Sequence, residues 1–243
     1  MTTSRMMNIV QAQLAIDMNC TIDDFHKERG CFVFTEAKDN PGRRPFPKKE
    51  PMFEMLSMGN AIIVSAAPHL LDIVKPMLNG KNHNEAFSMP FVRGQSLFYL
   101  PDLLAVNKLA APEGFIYDVV EQSDIPALYR YKEGFPNALA YDINHPRPDK
   151  LAIVAKQNNA IVGMAGASAD CENMWQIGID VLSSHRNHGL AARLVNQLTT
   201  EILSRGYIPY YGTKTSNIAS QRVAHRAGFF PAWISVYEGK FDK

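Results

Sequence analysis

The chain has 243 residues, 46% of them hydrophobic, and a formal net charge of +1. This composition is typical of a folded globular protein and excludes intrinsic disorder, while the near-neutral charge gives no general attraction to nucleic acid or acidic membranes. The apolar stretch at 6–16 is too short to span a bilayer and makes a poor signal peptide. We therefore expect a cytoplasmic protein that binds neither nucleic acid nor membranes.

Three cysteines are scattered along the chain, at Cys20, Cys31 and Cys171. Their odd number argues against a disulfide framework, and none of them lies in the CxxC spacing of a compact zinc site. Free cysteines of this kind fit a reducing compartment. We predict no metal site.

The first 110 residues predict a small α+β unit. Apolar spacing indicates a first helix that ends near Asn19, and runs of aromatic and β-branched residues indicate strands. The strands are expected at 31–35, 53–58, 61–66 and 97–100, with a helix over 68–80 before the last of them. This region has no nucleophile–base pair, metal-ligand cluster or glycine-rich phosphate loop, so its sequence indicates no chemistry.

From residue 111 onward, strands and helices alternate. Asn158 and Asn159 tolerate the positive φ of a hairpin turn, and Gly206 and Gly228 are placed to end two helices. The predicted elements are a strand over 114–120, a helix starting at 123, a hairpin of 151–155 and 160–165, a strand over 174–182, a helix over 189–204, a strand over 208–212, a helix over 217–227 and a strand over 229–236.

The turn between the 174–182 strand and the following helix has the pattern Arg-x-x-Gly-x-Ala, from Arg186 to Ala191. Free N–H groups at a helix start, together with the helix dipole, form a cradle for phosphate oxygens. Gly189 has no Cβ to keep a pyrophosphate away from the main chain. Many strand-to-helix turns carry glycine for packing alone, so the pattern needs support from its surroundings.

With three further features, this turn makes residues 114–241 resemble the GNAT superfamily of acyl-CoA-dependent N-acyltransferases. The features are the Asn158-Asn159 hairpin followed by Ile161-Val162-Gly163, the Ile179-x-Val181 pair, and Asn217-x-x-Ser220-x-x-x-Ala224-x-x-x-Gly228-Phe229. The resemblance implies a mixed central sheet flanked by helices, of the α+β or α/β class. The phrase Gly189-Leu190-Ala191, with Ile208-Pro209-Tyr210-Tyr211 and Asn217-x-x-Ser220, also suggests a bacterial branch with an extra N-terminal domain. Together with the change of composition near Ala110-Ala111-Pro112, this divides the chain into a small α+β domain at 1–110 and an N-acetyltransferase domain at 111–243.

The resemblance further implies that acetyl-CoA is the cosubstrate and names the residues that would hold it. The backbone of Ile179 and Val181 would bond the pantetheine amides, and Asn217, with Ser220 one turn below it, would bond the cofactor arm. The pyrophosphate would be held by the amides of Arg186, Asn187, His188, Gly189, Leu190 and Ala191. Packing in the core is the alternative for the two strand residues, and a surface position is the alternative for Arg186.

The residues that would move protons are less clear, because the chain departs from the family pattern twice. Ala224 stands where many relatives have the tyrosine that protonates the leaving thiolate, and no glutamate lies at 176–178, where relatives often have one. Asp180, the only acid inside the central strand, is the candidate general base, with a structural carboxylate as an equal alternative. His225 is the candidate acid, although helical spacing turns it away from the Asn217–Ala224 face.

The resemblance implies transfer of an acyl group from acetyl-CoA to a primary amine of a small molecule or peptide. The alternative is a GNAT-shaped module that binds or senses an acyl-CoA without turning it over, which the missing tyrosine favours slightly. A dinucleotide-binding enzyme ranks third, because Gly-x-Gly-x-x-Gly is absent. The acceptor is not identified. Its site is expected in the variable loop 131–148, with the N-terminal unit as a second contributor left open, and a homodimer is left open as well.

Overall fold

The computed structural model describes residues 1–45, 52–106, 109–140 and 142–241. The chain divides into two compact units that interleave along the sequence. The larger unit comprises Met1–Thr3, Tyr99–Gly212 and Asn217–Phe230, and the smaller unit comprises Ser4–Phe98, Thr213–Ser216 and Pro231–Lys243. These bounds differ from the predicted domains, 1–110 and 111–243, whose independence as folding units stays a prediction.

The smaller unit combines helices with short strands. They are α1 (Thr3–Met18), β1 (Phe32–Glu36), β2 (Phe53–Ser57), β3 (Ile62–Ala66), α2 (Pro68–Leu78), α3 (His83–Phe87) and β4 (Val92–Arg93). Strand β3 pairs in parallel with β1 and antiparallel with β2. Apolar side chains of β2, β3 and α2 form the core, and the ion pair between Arg44 and Asp17 is buried as well.

The larger unit contains a mixed sheet. The remaining elements follow in chain order, and β12 and parts of β5, β10 and β11 belong to the smaller unit. They are β5 (Ser96–Pro101), β6 (Ile116–Glu121), β7 (Asp149–Gln157), β8 (Ala160–Ala169), β9 (Met174–Val181), α4 (Leu190–Ser204), β10 (Ile208–Lys214), α5 (Ile218–Arg226), β11 (Phe229–Val236) and β12 (Glu238–Gly239). Strands β10, β9, β8, β7 and β6 lie side by side in this order. The β10–β9 pair is parallel and the other pairs are antiparallel, which confirms the predicted mixed sheet flanked by helices.

The two faces of this sheet have different covers. Helix α4 packs against β7, β8 and β9 on one face, where Leu194 contacts the sheet at Gly163. Residues from the segment that follows β6 cover the other face. The helix expected after Ser123 is a 3-10 helix, Ile125–Tyr131, with Pro126 in its first turn. Among the described residues, every helix is too short or too polar to cross a membrane.

Candidate functional site

Strands β9 and β10 separate before they end. Their parallel register runs from Ile208 opposite Met174 to Tyr211 opposite Ile177, whereas β9 continues to Val181. On its other side, β9 remains paired with β8 as far as Val181. The last residues of β9 therefore have a partner strand on the β8 side, and the β10 side opens.

The peptide groups of Ile179 and Val181 point into this opening. Leu182 N–H donates to Val162 O at 2.9 Å, so Leu182 bonds towards β8. In an antiparallel pair, every second residue bonds to the neighbouring strand and the residues between them direct N–H and C=O away from it. With Val181 opposite Gly163, Ile179 and Val181 belong to the second set. The backbone geometry that the sequence resemblance requires of these two residues is present.

The side chain of Arg186 closes part of the opening. Its Nε donates to the carbonyl of Val181 at 3.1 Å, which joins the turn to the strand end. The residues after it, Asn187 to Gly189, are exposed. Arg186 therefore has a definite role in the turn, and the Val181 N–H is the group left facing the opening.

Helix α4 begins with a left-handed residue. Gly189 is the N-cap, with φ 79°, and its carbonyl accepts from Arg193 N–H at 3.1 Å as the first helical bond. The N–H groups of Leu190, Ala191 and Ala192 precede that bond and point out of the helix start. A Cβ added at Gly189 would meet only Pro112 Cγ, at 3.9 Å, so the space beside Gly189 at the helix start is open. Such a helix start suits an anion.

The two histidines of the turn differ in their contacts. The ring of His185 is hydrogen-bonded to Ser184 Oγ at 2.8 Å and to Gln157 Oε1 at 3.0 Å, and it packs edge-on against Phe115. His188 is exposed. His185 therefore holds the turn in place, and His188 is the histidine available to solvent or a ligand.

The start of α5 lies after β10. Asn217 is the N-cap, and its side-chain oxygen accepts from Ser220 N–H at 3.1 Å. The Ser220 hydroxyl lies 2.7 Å from the hydroxyl of Tyr211. Both predicted residues thus have partners within the protein. Tyr211 was not predicted as a site residue. Because successive side chains of a strand point to opposite faces, Tyr211 and Tyr210 lie on opposite faces of the sheet.

Asp180 is bound to the segment that covers the sheet. One carboxylate oxygen accepts from Asn137 Nδ2 at 2.6 Å, and the other accepts from the backbone N–H of Asn137 at 2.6 Å and of Ala138 at 2.9 Å. Below the same segment, a Cβ on Gly178 would lie 1.8 Å from Asn137 O, and one on Gly166 would lie 1.7 Å from Ala138 O. Residues 137–138 therefore rest directly on the sheet, held by one carboxylate.

A cavity of about 260 Å³ lies beside this segment and reaches Ile177 and Gly178, where β9 and β10 separate. Its wall includes Lys132 and Asp149, and burial lowers the pKa of that lysine and raises the pKa of that carboxyl. Asp149 accepts from Tyr129 Oη at 2.8 Å and from Ala140 N–H at 2.9 Å. The acceptor site was predicted in the loop 131–148. The cavity itself was not predicted, because only the folded segment brings these groups together.

His225 lies on the last turn of α5 and is exposed, whereas Ala224 beside it is fully buried. Within the described part of the chain, no group of three His, Cys, Asp or Glu side chains could hold a metal ion. The structure thus assembles the strand end, the Arg186–Ala191 turn and the start of α5, and leaves His225 facing solvent.

Among curated proteins, no significant match is found. Solved structures show weak similarity. A GCN5-related N-acetyltransferase from Kribbella flavida is 18% identical over 75% of this chain and 70% of its own, with a TM-score of 0.49. A GCN5-related N-acetyltransferase-like protein from Streptococcus suis 89/1591 is 16% identical over 98% and 100%, with a TM-score of 0.48. An acetyltransferase from the GNAT family of Colwellia psychrerythraea is 18% identical over 67% and 63%, with a TM-score of 0.46.

Because these TM-scores are below 0.5, we draw no conclusion from the structural similarities. The model of the acetyltransferase (GNAT) family matches residues 117–229, a range that includes the opening between β9 and β10 and the starts of α4 and α5. Residues 117–229 therefore form a domain of the GNAT acetyltransferase family.

Proposed function

We propose that the protein transfers an acetyl group from acetyl-CoA to a primary amine of a small molecule or peptide, by direct attack of the amine on the thioester. The observation that carries this proposal is the open edge of β9, which presents the peptide group of Ile179 and the N–H of Val181 and leads to the free amides at the start of α4. An extended polyamide arm ending in a pyrophosphate matches this combination of groups.

The residues fit the two ends of such a molecule. The amides of the Arg186–Ala191 turn would hold the pyrophosphate, since the space beside Gly189 at the helix start is open. The backbone of Ile179 and the N–H of Val181 would pair with the arm. A further backbone N–H near Val181 would stabilise negative charge on the thioester oxygen.

The amine is proposed to enter through the cavity beside residues 137–138, which ends at Ile177 and Gly178. Asp149, with its raised pKa, is a buried carboxylate in the wall. It can attract an ammonium group and, because its pKa is raised by burial, accept a proton more readily than an exposed carboxylate. The size of the cavity favours a small amine or a single side chain.

Asp180 has two proposed roles. The general-base role stays a prediction, and the three hydrogen bonds from Asn137 and Ala138 support the alternative, in which Asp180 anchors the segment beside the cavity. The acid role of His225 also stays a prediction. Its exposed position on α5 favours contact with solvent.

We expect Asp180→Asn to lower Tm and to raise KM for the amine, with less than about a tenfold loss of kcat per folded molecule. An amide nitrogen cannot accept from the N–H groups of residues 137 and 138, and a hydrogen bond to a charged group contributes about 1.5–3 kcal/mol. Tm and steady-state kinetics measured on the same preparation separate the roles. A loss of kcat of about two to four orders of magnitude at unchanged Tm would instead make Asp180 the general base.

An acyl-CoA-binding module without turnover is the second candidate, and the buried Ala224 favours it because that position has no hydroxyl to give a proton. Release of free thiol from acetyl-CoA, measured against a panel of small amines and amino-terminal peptides, distinguishes the two. We expect amine-dependent thiol release that saturates with acetyl-CoA. Binding of acetyl-CoA with no release for any amine in the panel would favour the binding module.

A further inference from the structure

Tyr211 occupies the point where the opening begins. It forms the last pair of the parallel ladder, opposite Ile177, so its backbone lies where β9 and β10 start to separate. Its side chain is 3% exposed. It leaves the strand on the face opposite to that of Tyr210, whose hydroxyl bonds to Asp170.

The Tyr211 hydroxyl is held by α5. It shares a 2.7 Å hydrogen bond with Ser220 Oγ, one turn before the buried Ala224. The charge of Asp180, three residues beyond Ile177 on β9, acts on the same hydroxyl. An arm that runs from the Arg186–Ala191 turn along Val181 and then Ile179 would extend towards Ile177, the residue opposite Tyr211.

The phenol also has the protonation state that an acid requires. Burial raises the pKa of Tyr211, the nearby charge of Asp180 raises it further, and the hydrogen bond with Ser220 offsets part of this rise. The hydroxyl therefore keeps its proton at neutral pH. A Tyr211 hydroxyl that reaches the thioester sulfur would supply the proton that a tyrosine at position 224 supplies in relatives.

We propose that Tyr211, supported by Ser220, is the catalytic acid that protonates the leaving thiolate in place of the tyrosine that Ala224 lacks. This inference rests on the proposed acyl transfer. The amine nitrogen forms a bond to the carbonyl carbon of the thioester. As the carbon–sulfur bond then breaks, sulfur keeps the bonding electron pair and takes the proton of the Tyr211 hydroxyl, which gives the free thiol. The amine nitrogen loses its proton to water, and the phenolate regains one from water through the Ser220 hydroxyl.

Tyr211→Phe removes the proton and retains the ring that packs near Phe229. We expect kcat to fall by about two orders of magnitude, within the usual range for a general acid, while the Kd for CoA and the KM for acetyl-CoA change little. Tyr117→Phe is the matched control. Tyr117 lies on β6, separated from β9 by β7 and β8. Its buried hydroxyl has no hydrogen-bond partner among the residues that the structure describes, so its loss should leave kcat unchanged.

A pH profile separates acid catalysis from a structural role. The tyrosine acts when protonated, so kcat should decline as the pH rises through the raised pKa of Tyr211. Fluorotyrosine at position 211 has a more acidic phenol and should move that decline to lower pH, which a packing role would not do. The decline should be absent in Tyr211→Phe.

The possible failures are distinguishable. Wild-type protein that turns over, with Tyr211→Phe equal to it in kcat, overturns the role of Tyr211 and leaves acyl transfer intact. Wild-type protein that binds acetyl-CoA without releasing thiol overturns both. If Tyr211→Phe has a lower Tm than the wild type, kcat is compared per folded molecule. With fluorotyrosine at position 211, a decline of kcat at the same pH as in the wild type also overturns the role of Tyr211.

Discussion

Gly189→Glu is expected to weaken the binding of CoA and acetyl-CoA by at least about a hundredfold, which corresponds to about 2.8 kcal/mol. The new carboxylate would lie over the amides of Leu190, Ala191 and Ala192, where the pyrophosphate is proposed to bind, and like charges repel there. The positive φ of Gly189 adds backbone strain. Calorimetric titration of CoA into the folded variant measures the loss.

The other end of the same helix supplies the control. Gly206 follows α4 with φ 88°, and a Cβ built on it meets nothing within 4 Å. Gly206→Glu therefore imposes the same charge and a similar strain away from the proposed phosphate site. We expect it to lower Tm to a similar extent and to retain CoA binding. Equal loss of binding in both variants would show that strain, and not the site, explains the effect.

Gly178→Ala is expected to displace the segment at residues 137–138 and to abolish most of the amine turnover. The added methyl would lie 1.8 Å from Asn137 O, the carbonyl of a residue whose N–H donates to Asp180. Forcing an extra methylene into a tight contact costs about 1–3 kcal/mol, and this contact is with main chain. We expect a lower Tm and a higher KM for the amine, with CoA affinity changed much less.

Gly134→Ala tests whether any added methyl in the same segment has this effect. A Cβ at Gly134 makes only ordinary contacts, 3.6 Å from Tyr131 O and 3.7 Å from Leu182 Cδ2. Its Tm and kinetics should match the wild type. Unchanged amine kinetics in Gly178→Ala would show that the position of residues 137–138 does not shape the acceptor site.

The order of the strands and helices could be predicted because its signals are local, whereas the mixed sheet was implied by the family resemblance. The asparagine pair at the hairpin has positive φ at both residues, as expected, and α4 begins after Gly189 and ends just before Gly206. The orientation of Ile179 and Val181 into the opening also follows from strand alternation once the register is known. Periodicity and turn chemistry therefore sufficed for this part of the fold.

The acceptor side could not be predicted, because it depends on contacts between distant residues. The bonds of Asp180 to Asn137 and Ala138 span more than 40 residues, and Gly166 and Gly178 gave no sign that main chain rests on them. The hydroxyl pair of Tyr211 and Ser220 forms only when α5 folds back beside β10. Residue type alone left Asp180 with two roles, and its hydrogen bonds favour one of them.

Amide hydrogen exchange with and without CoA tests the central proposal most directly. If the substrate binds along the open edge of β9 and at the start of α4, peptides covering residues 178–182 and 186–193 should exchange more slowly at saturating CoA. Peptides of the smaller unit, such as those covering β1 and β3, should not change. Protection confined to other segments, or none at saturating CoA, would contradict the proposed site.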